Sequence, residues 1–163
     1  MKKILFPALF AIGAAFLGSC NKTENTTCPV IGTTAPQAEI DSLTSYLKAN
    51  NITDAILDSR GFYYTIIDSG TTPKLTACNT VVLDYVGQLT DANASIFDQE
   101  HGITLNLVNT INGWREGMPY IGIGGRLVLY IPPTLAYGAT AVGTLIPANA
   151  YLVFHVTAVQ LKS

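Results

Sequence analysis

Ile111-Asn112-Gly113-Trp114-Arg115-Glu116-Gly117 holds the only tryptophan of the chain and interrupts sequence that otherwise alternates as strands do. Thr110 to Met118 reads as a short helix. Asn109 or Thr110 is the residue type that caps a helix start, and Pro119 disfavours the α conformation at Met118 and so stops it. After it, Leu127, Leu129 and Ile131 alternate with Val128 and Tyr130, and Leu152, Phe154, Val156 and Ala158 recur at every second position. Before it, Thr80 to Leu89 sets Val81, Leu83, Tyr85 and Leu89 on one face, with Asp84 and Gln88 on the other. Ile103, Leu105 and Leu107 alternate as a short strand, and Gly61 to Ile67 is β-branched and aromatic. A sheet with one apolar face has to bury it, and the helix with Trp114 is the cover the sequence offers. The expected class is α+β: an antiparallel sheet wrapped around one short helix.

An additional N-terminal helix is expected over Pro36 to Asn51. Pro36 suits a first turn, Glu39 and Asp41 favour the positive end, and Lys48 favours the other. Ile40, Leu43, Tyr46 and Leu47 form one apolar stripe, which suits docking on the domain better than a homodimer through residues 36–50. Pro132 to Asn149 is a long apolar loop containing Leu135-Ala136-Tyr137-Gly138 and Leu145-Ile146-Pro147. Loops of such length are uncommon in compact domains unless functional, and an apolar one has to lie on something or line something.

The chain has 163 residues, 48% hydrophobic and 12% charged, with a formal net charge of -2. That suffices for one domain with a real core. Low charge without a basic patch argues against a nucleic-acid partner. Met1-Lys2-Lys3 followed by the apolar run Ile4 to Leu17 has the layout of a secretory signal and is too short to span a membrane comfortably. Leu17-Gly18-Ser19-Cys20 resembles the lipobox of bacterial lipoproteins, which implies that Cys20 is lipidated, becomes the mature N-terminus and anchors the protein to a membrane. Without residues 1–19 the chain carries seven basic and eleven acidic side chains, net -4. Cys28 and Cys78 then remain, either bridged, as an exported pair suggests, or as two free thiols.

Most catalytic constellations are missing. There is no phosphate-binding loop, no Gly-x-Ser-x-Gly elbow and no His/Cys cluster with metal spacing, since His101 and His155 lie far apart. One reaction needs only a shaped apolar pocket: rotation about a prolyl peptide bond. Its barrier of roughly 18–20 kcal/mol comes from amide resonance. The planar amide separates charge and the twisted one does not, so apolar surroundings disfavour the ground state relative to the twisted state. Uncatalysed rotation takes on the order of tens of seconds, so even modest acceleration matters to folding.

From about Val81 to Leu161 the chain resembles an FKBP-type peptidyl-prolyl isomerase domain. The motifs are Val82-Leu83-Asp84-Tyr85-Val86-Gly87, Phe97-Asp98, Ile111 to Gly117, Ile131-Pro132, Leu135-Ala136-Tyr137-Gly138, Ile146-Pro147 and Leu152-Val153-Phe154, in that order. The resemblance implies an FKBP-like fold and a pocket that works without a cofactor. Trp114 would be its floor under the proline ring, and Tyr85, Phe97 and Phe154 its walls. Ile111 would offer its N–H to a substrate carbonyl, Tyr137 would donate its hydroxyl, and Asp98 would accept at the rim. Ile103, Thr110, Ala136, Val142, Leu145 and Ile146 would contact the substrate.

The chain departs from the family pattern at several places. Ile103 stands where a Phe is frequent, Thr110 where Val is usual and Val142 where a His is common, and no glycine stands in the usual place before Phe97. These changes bear on rim size, polarity and peptide preference. The expected organisation is a signal over 1–19, a tether over 20–35, an N-terminal helical segment over 36–60 and the isomerase domain over 61–163. The expected function is isomerisation of X-Pro segments in exported envelope proteins, at a bacterial cell envelope, with the lipid anchor in the outer membrane. The alternative is a non-catalytic chaperone or binding module of the same fold.

Overall fold

The computed structural model describes Cys28 and residues 32–162. Cys20, the segment read as a signal and most of the tether lie outside the described residues. Six antiparallel strands form one sheet in the order β1-β2-β5-β6-β3-β4. They are β1 (Ile56–Leu57), β2 (Tyr63–Asp68), β3 (Thr80–Leu89), β4 (Ile96–Asn106), β5 (Arg126–Ile131) and β6 (Leu152–Lys162). Helix α1 (Gln37–Ala49) precedes them and α2 (Asn112–Gly117) lies between β4 and β5.

The alternation seen in the sequence becomes the two faces of the sheet. Val81, Leu83, Leu127, Leu129, Ile131, Leu152, Phe154, Val156 and Ala158 point inward and pack with Trp114, Met118 and Leu135. Their odd-and-even partners Val128, Tyr130 and Val153 point the other way, and there they meet Leu43 and Leu47 of α1. The sheet is therefore covered on both faces, with α2 inside and α1 outside. Fully burying two leucines contributes roughly 3–6 kcal/mol. The stripe of α1 is thus spent within the chain, which favours docking over a dimer contact through the same residues.

Helix α1 starts behind Pro36 and stops at Asn50, with Asn51 in the left-handed region at φ 55°. Asparagine tolerates that conformation. Helix α2 is shorter than the sequence suggests. Its cap position is Ile111, with no side-chain cap, rather than Asn109 or Thr110. The Thr110 hydroxyl is already used, donating to the Leu107 carbonyl at 2.7 Å behind the 3-10 turn Leu107–Asn109. That turn also takes Leu107 out of the strand expected to hold it. Pro119 does not end the helical path either: the chain continues as a 3-10 turn over Met118–Tyr120, at whose start the missing proline N–H is not needed.

Strand β4 starts at Ile96, well before the short strand expected around Ile103, Leu105 and Leu107. It stays paired to β3 through register shifts, one of them between Leu83 and Tyr85. Near that shift Gly102 takes φ 66°, and its N–H donates to Asp84 Oδ1 at 2.8 Å. A bulge of this kind lets a strand carry on past an unpaired residue. The long loop after β5 also has internal order: a 3-10 turn over Pro133–Leu135, a bridge between Val142 and Ile146, and a bond from Asn149 N–H to the Gly138 carbonyl at 2.8 Å. Cys28 and Cys78 are joined by a disulfide, with Cα atoms 5.5 Å apart.

Candidate active site

Two glycines decide how deep α2 sits. A Cβ at Gly113 would lie 2.6 Å from Ile131 Cγ2, and one at Gly117 would lie 2.5 Å from Leu129 Cδ2. Four residues apart, they share one face of α2 and press its backbone onto β5. Trp114 is thereby driven into the inner face of the sheet. Its ring meets Tyr85 edge-on at 5.2 Å between centroids and Phe154 edge-on at 5.2 Å. Phe97 meets Phe154 at 5.5 Å, again nearly perpendicular. Edge-to-face contacts of this kind add to simple burial and fix ring directions.

These rings bound a cavity of about 530 Å³. Tyr85, Phe97, Asp98, Thr110, Ile111, Trp114, Tyr137, Val142, Leu145, Ile146 and Phe154 line it, so eleven positions singled out in the sequence come together there. Ile103 and Ala136 do not line it. Both are half-buried against the inner core instead, Ile103 on β4 and Ala136 just past the 3-10 turn. Leu105, Asn109, Gly143 and Thr144 line the cavity without having been singled out. Leu105 had a signal, since it alternates with Ile103; the other three sit in turns, where no periodicity points inward.

Gly87 was quoted in a motif without a role, and the structure supplies one. It pairs with Phe154 across β3 and β6, and a Cβ there would stand 2.7 Å from the Phe97 ring and 2.9 Å from that of Phe154. A glycine inside a strand often marks such a close approach.

The polar groups at the cavity are few. The Tyr85 hydroxyl donates to Asp98 Oδ2 at 2.5 Å. Burial, and then that bond, push the Tyr85 phenol far above its ordinary value. Burial also raises the Tyr137 phenol, with the Asp98 charge adding to it. Both tyrosines therefore stay neutral donors at any ordinary pH. Tyr85 spends its hydrogen on Asp98, whereas the Tyr137 hydroxyl makes no hydrogen bond among the described residues. Ile111 takes an extended conformation, and its carbonyl accepts from Trp114 and Arg115. Its own N–H makes no backbone hydrogen bond among the described residues. The buried Trp114 Nε1 also has no partner there. Apolar walls with unspent donors at the edge suit a neutral amide substrate better than a charged one.

Behind α2 lies a polar cluster that sequence reasoning missed. Arg60 donates to both carboxylate oxygens of Asp58, at 2.6 Å and 2.8 Å, and also pairs with Glu116 of α2. Tyr120, in the turn after α2, donates its hydroxyl to Asp58 Oδ2 and stacks on Tyr64 at 4.1 Å. The Asp58 side chain is almost fully buried. Burial alone would raise its carboxyl, but the bonds from Arg60 and Tyr120 outweigh that and hold it below the ordinary carboxylate value. Tyr120 is pushed up to about 12 by burial and by Asp58.

A sheet wrapped on a short helix, with a ring-walled cavity between them, defines the FKBP-like class of folds. Residues 72–159 match the FKBP-type peptidyl-prolyl cis-trans isomerase family, and the chain belongs to that family. It is 34% identical over 120 residues to the FKBP-type peptidyl-prolyl cis-trans isomerase FkpA of Aeromonas hydrophila, covering 72% of this chain and 44% of that protein. It is 31% identical over 121 residues to the outer membrane protein MIP of Legionella longbeachae, covering 72% and 52%. The chain thus spans about half the length of these curated relatives, or less. Among solved structures it resembles the peptidyl-prolyl cis-trans isomerase of Pseudomonas syringae pv. tomato, with TM-score 0.66 and 29% identity, covering 81% of this chain and 100% of that one.

Proposed function

We propose that this chain accelerates cis–trans isomerisation of X-Pro bonds in unfolded segments of exported proteins, within the aromatic cavity and without a cofactor. The observation that supports it best is the ring-walled cavity with unspent donors at its rim, Ile111 N–H and Tyr137 Oη. The proline ring sits over Trp114, between Tyr85, Phe97 and Phe154. Ile111 and Tyr137 hold flanking carbonyls, so that rotation is confined to one bond. Water is excluded around the amide, which removes the solvation that favours its charge-separated planar form. Asp98 keeps Tyr85 in place rather than taking a proton.

A second reading, a chaperone or binding module with negligible turnover, draws on the apolar groups exposed at the rim, Val142 and Leu145. A protease-coupled assay on a series of X-Pro peptides separates the two. Acceleration that disappears on Trp114→Ala, in protein shown to be folded, supports the isomerase. Peptide binding without acceleration supports the module.

The proposed place of action is a bacterial cell envelope, with residues 1–19 as export signal and Cys20 lipidated at the outer membrane. The Met1 to Cys20 pattern supports this, as does the Cys28–Cys78 disulfide, a bond that persists in oxidising compartments. Likeness to a protein named for the outer membrane agrees with it. Labelling with radioactive palmitate tests the anchor: Cys20→Ala loses both the label and membrane association.

A further inference from the structure

We infer that Glu39 is a positioning residue for Tyr137 and acts across the chain through Thr134, an inference that rests on the isomerase reading for the reaction it serves. Glu39 is the third residue of α1, and a carboxylate there ordinarily serves the unpaired N–H groups of its own helix. Here it turns outward. Glu39 Oε2 accepts the Thr134 N–H at 3.0 Å, and Oε1 accepts the Thr134 hydroxyl at 2.8 Å. Two charge-assisted bonds to one residue fix its orientation as well as its position. Pro132 and Pro133 have no N–H, so Thr134 is the first backbone donor after β5, and Glu39 takes it.

From Thr134 the geometry passes to Tyr137 through a short, tied turn. The N–H groups of Ala136 and Gly138, on either side of Tyr137, both donate to the Pro133 carbonyl at 2.9 Å, and Leu135 just before them is buried. Tyr137 lines the cavity but is 39% exposed, so packing alone does not aim its hydroxyl, and the turn contributes. Helix α1 is a firm base for the clamp, because Leu43 and Leu47 lock it to the outer face of the sheet. Residue 39 lies outside the 72–159 stretch that matches the family, so the N-terminal segment is part of the site's scaffold rather than a separate appendage.

A double-mutant cycle on the full chain tests this, with kcat/KM on an X-Pro peptide and thermal unfolding read for each variant. Glu39→Ala should lower kcat/KM about tenfold, the scale of a modestly misplaced donor. Glu39→Gln keeps one acceptor and should fall between. In a Tyr137→Phe background Glu39→Ala should change the rate by less than about twofold, because the group it positions is gone. An equal loss in both backgrounds, or no loss in the first, overturns the inference. If Glu39→Ala proves unstable, Glu39→Gln carries the same comparison. If the native protein shows no acceleration, the isomerase reading fails separately. The clamp is then read from titration of an X-Pro peptide on Trp114 fluorescence, where Glu39→Ala should weaken binding only while Tyr137 retains its hydroxyl, and equal binding overturns it.

Discussion

Trp114 at the floor of the cavity and Phe154 in its wall are 3% and 4% exposed, whereas Tyr137, Val142 and Leu145 at its rim are 39%, 40% and 59% exposed. These two rings stand on a helix and on a central strand paired on both sides. The rim stands on one loop, tied by a turn, a single bridge and a carboxylate from α1. Floor residues therefore hold the fold and the pocket together, and changing one has to affect both. Rim residues meet the substrate while contributing little to the core, so they can alter activity with the fold intact.

The largest expected effect is at the floor. Trp114→Ala should cost about 3–5 kcal/mol in urea unfolding, as large aromatic truncations in cores do. A loss below about 1 kcal/mol would take Trp114 out of the core and break the contrast. Gly113→Ala comes next. An alanine in a helix is worth about 1 kcal/mol over glycine, but the added carbon collides with Ile131, and overpacking costs about 1–3 kcal/mol. The net should be destabilising, with the Trp114 fluorescence shifted because α2 is lifted off β5. A stabilised variant would show that α2 does not depend on the close approach.

Asp58→Asn probes the prop behind the floor. Since the folded Asp58 carboxyl lies below its ordinary 3.8, its stabilisation is present at neutral pH and fades as pH falls below that value through the folded one. The variant should be about 1–3 kcal/mol less stable at pH 7, and its stability should fall less than the native protein's on acidification below about pH 4. Parallel acid profiles would remove Asp58 from the account. At the rim, Tyr137→Phe should leave stability within about 0.5 kcal/mol while slowing isomerisation up to about tenfold, the worth of one hydrogen bond. The native rate should be flat from about pH 6 to 9, because both pocket phenols are raised above their ordinary range; a step in that window would mean another group titrates in the reaction. Smallest is Leu145→Ser, expected to change stability by less than about 0.5 kcal/mol and to show mainly as altered preference among X-Pro peptides.

The inward set of each long strand and the helix bearing Trp114 were legible because side-chain direction is fixed within an element, so alternation reports a face directly. The floor rings were legible for the same reason, together with the family motifs. Caps and turns were read less well. Thr110 looks like a helix cap, yet its hydroxyl closes the preceding turn, a choice between two local partners that the sequence offers equally. Ile103 and Leu105 alternate in one unbroken register with β3, yet only Leu105 lines the cavity, because periodicity reports the face of a strand and not how far along it a cavity extends.

By itself, then, the sequence determined the class of fold and the two faces of β5 and β6, which follow from local periodicity, while the rings of the pocket were read from the resemblance to the family's motifs. Tertiary structure alone decided that α1 covers the outer face, that Glu39 reaches Thr134 and that Asp58 reaches Tyr120. Those two polar contacts span 95 and 62 residues. A carboxylate suits many donors equally well, and which one it meets depends on how the whole chain closes rather than on any pattern near it.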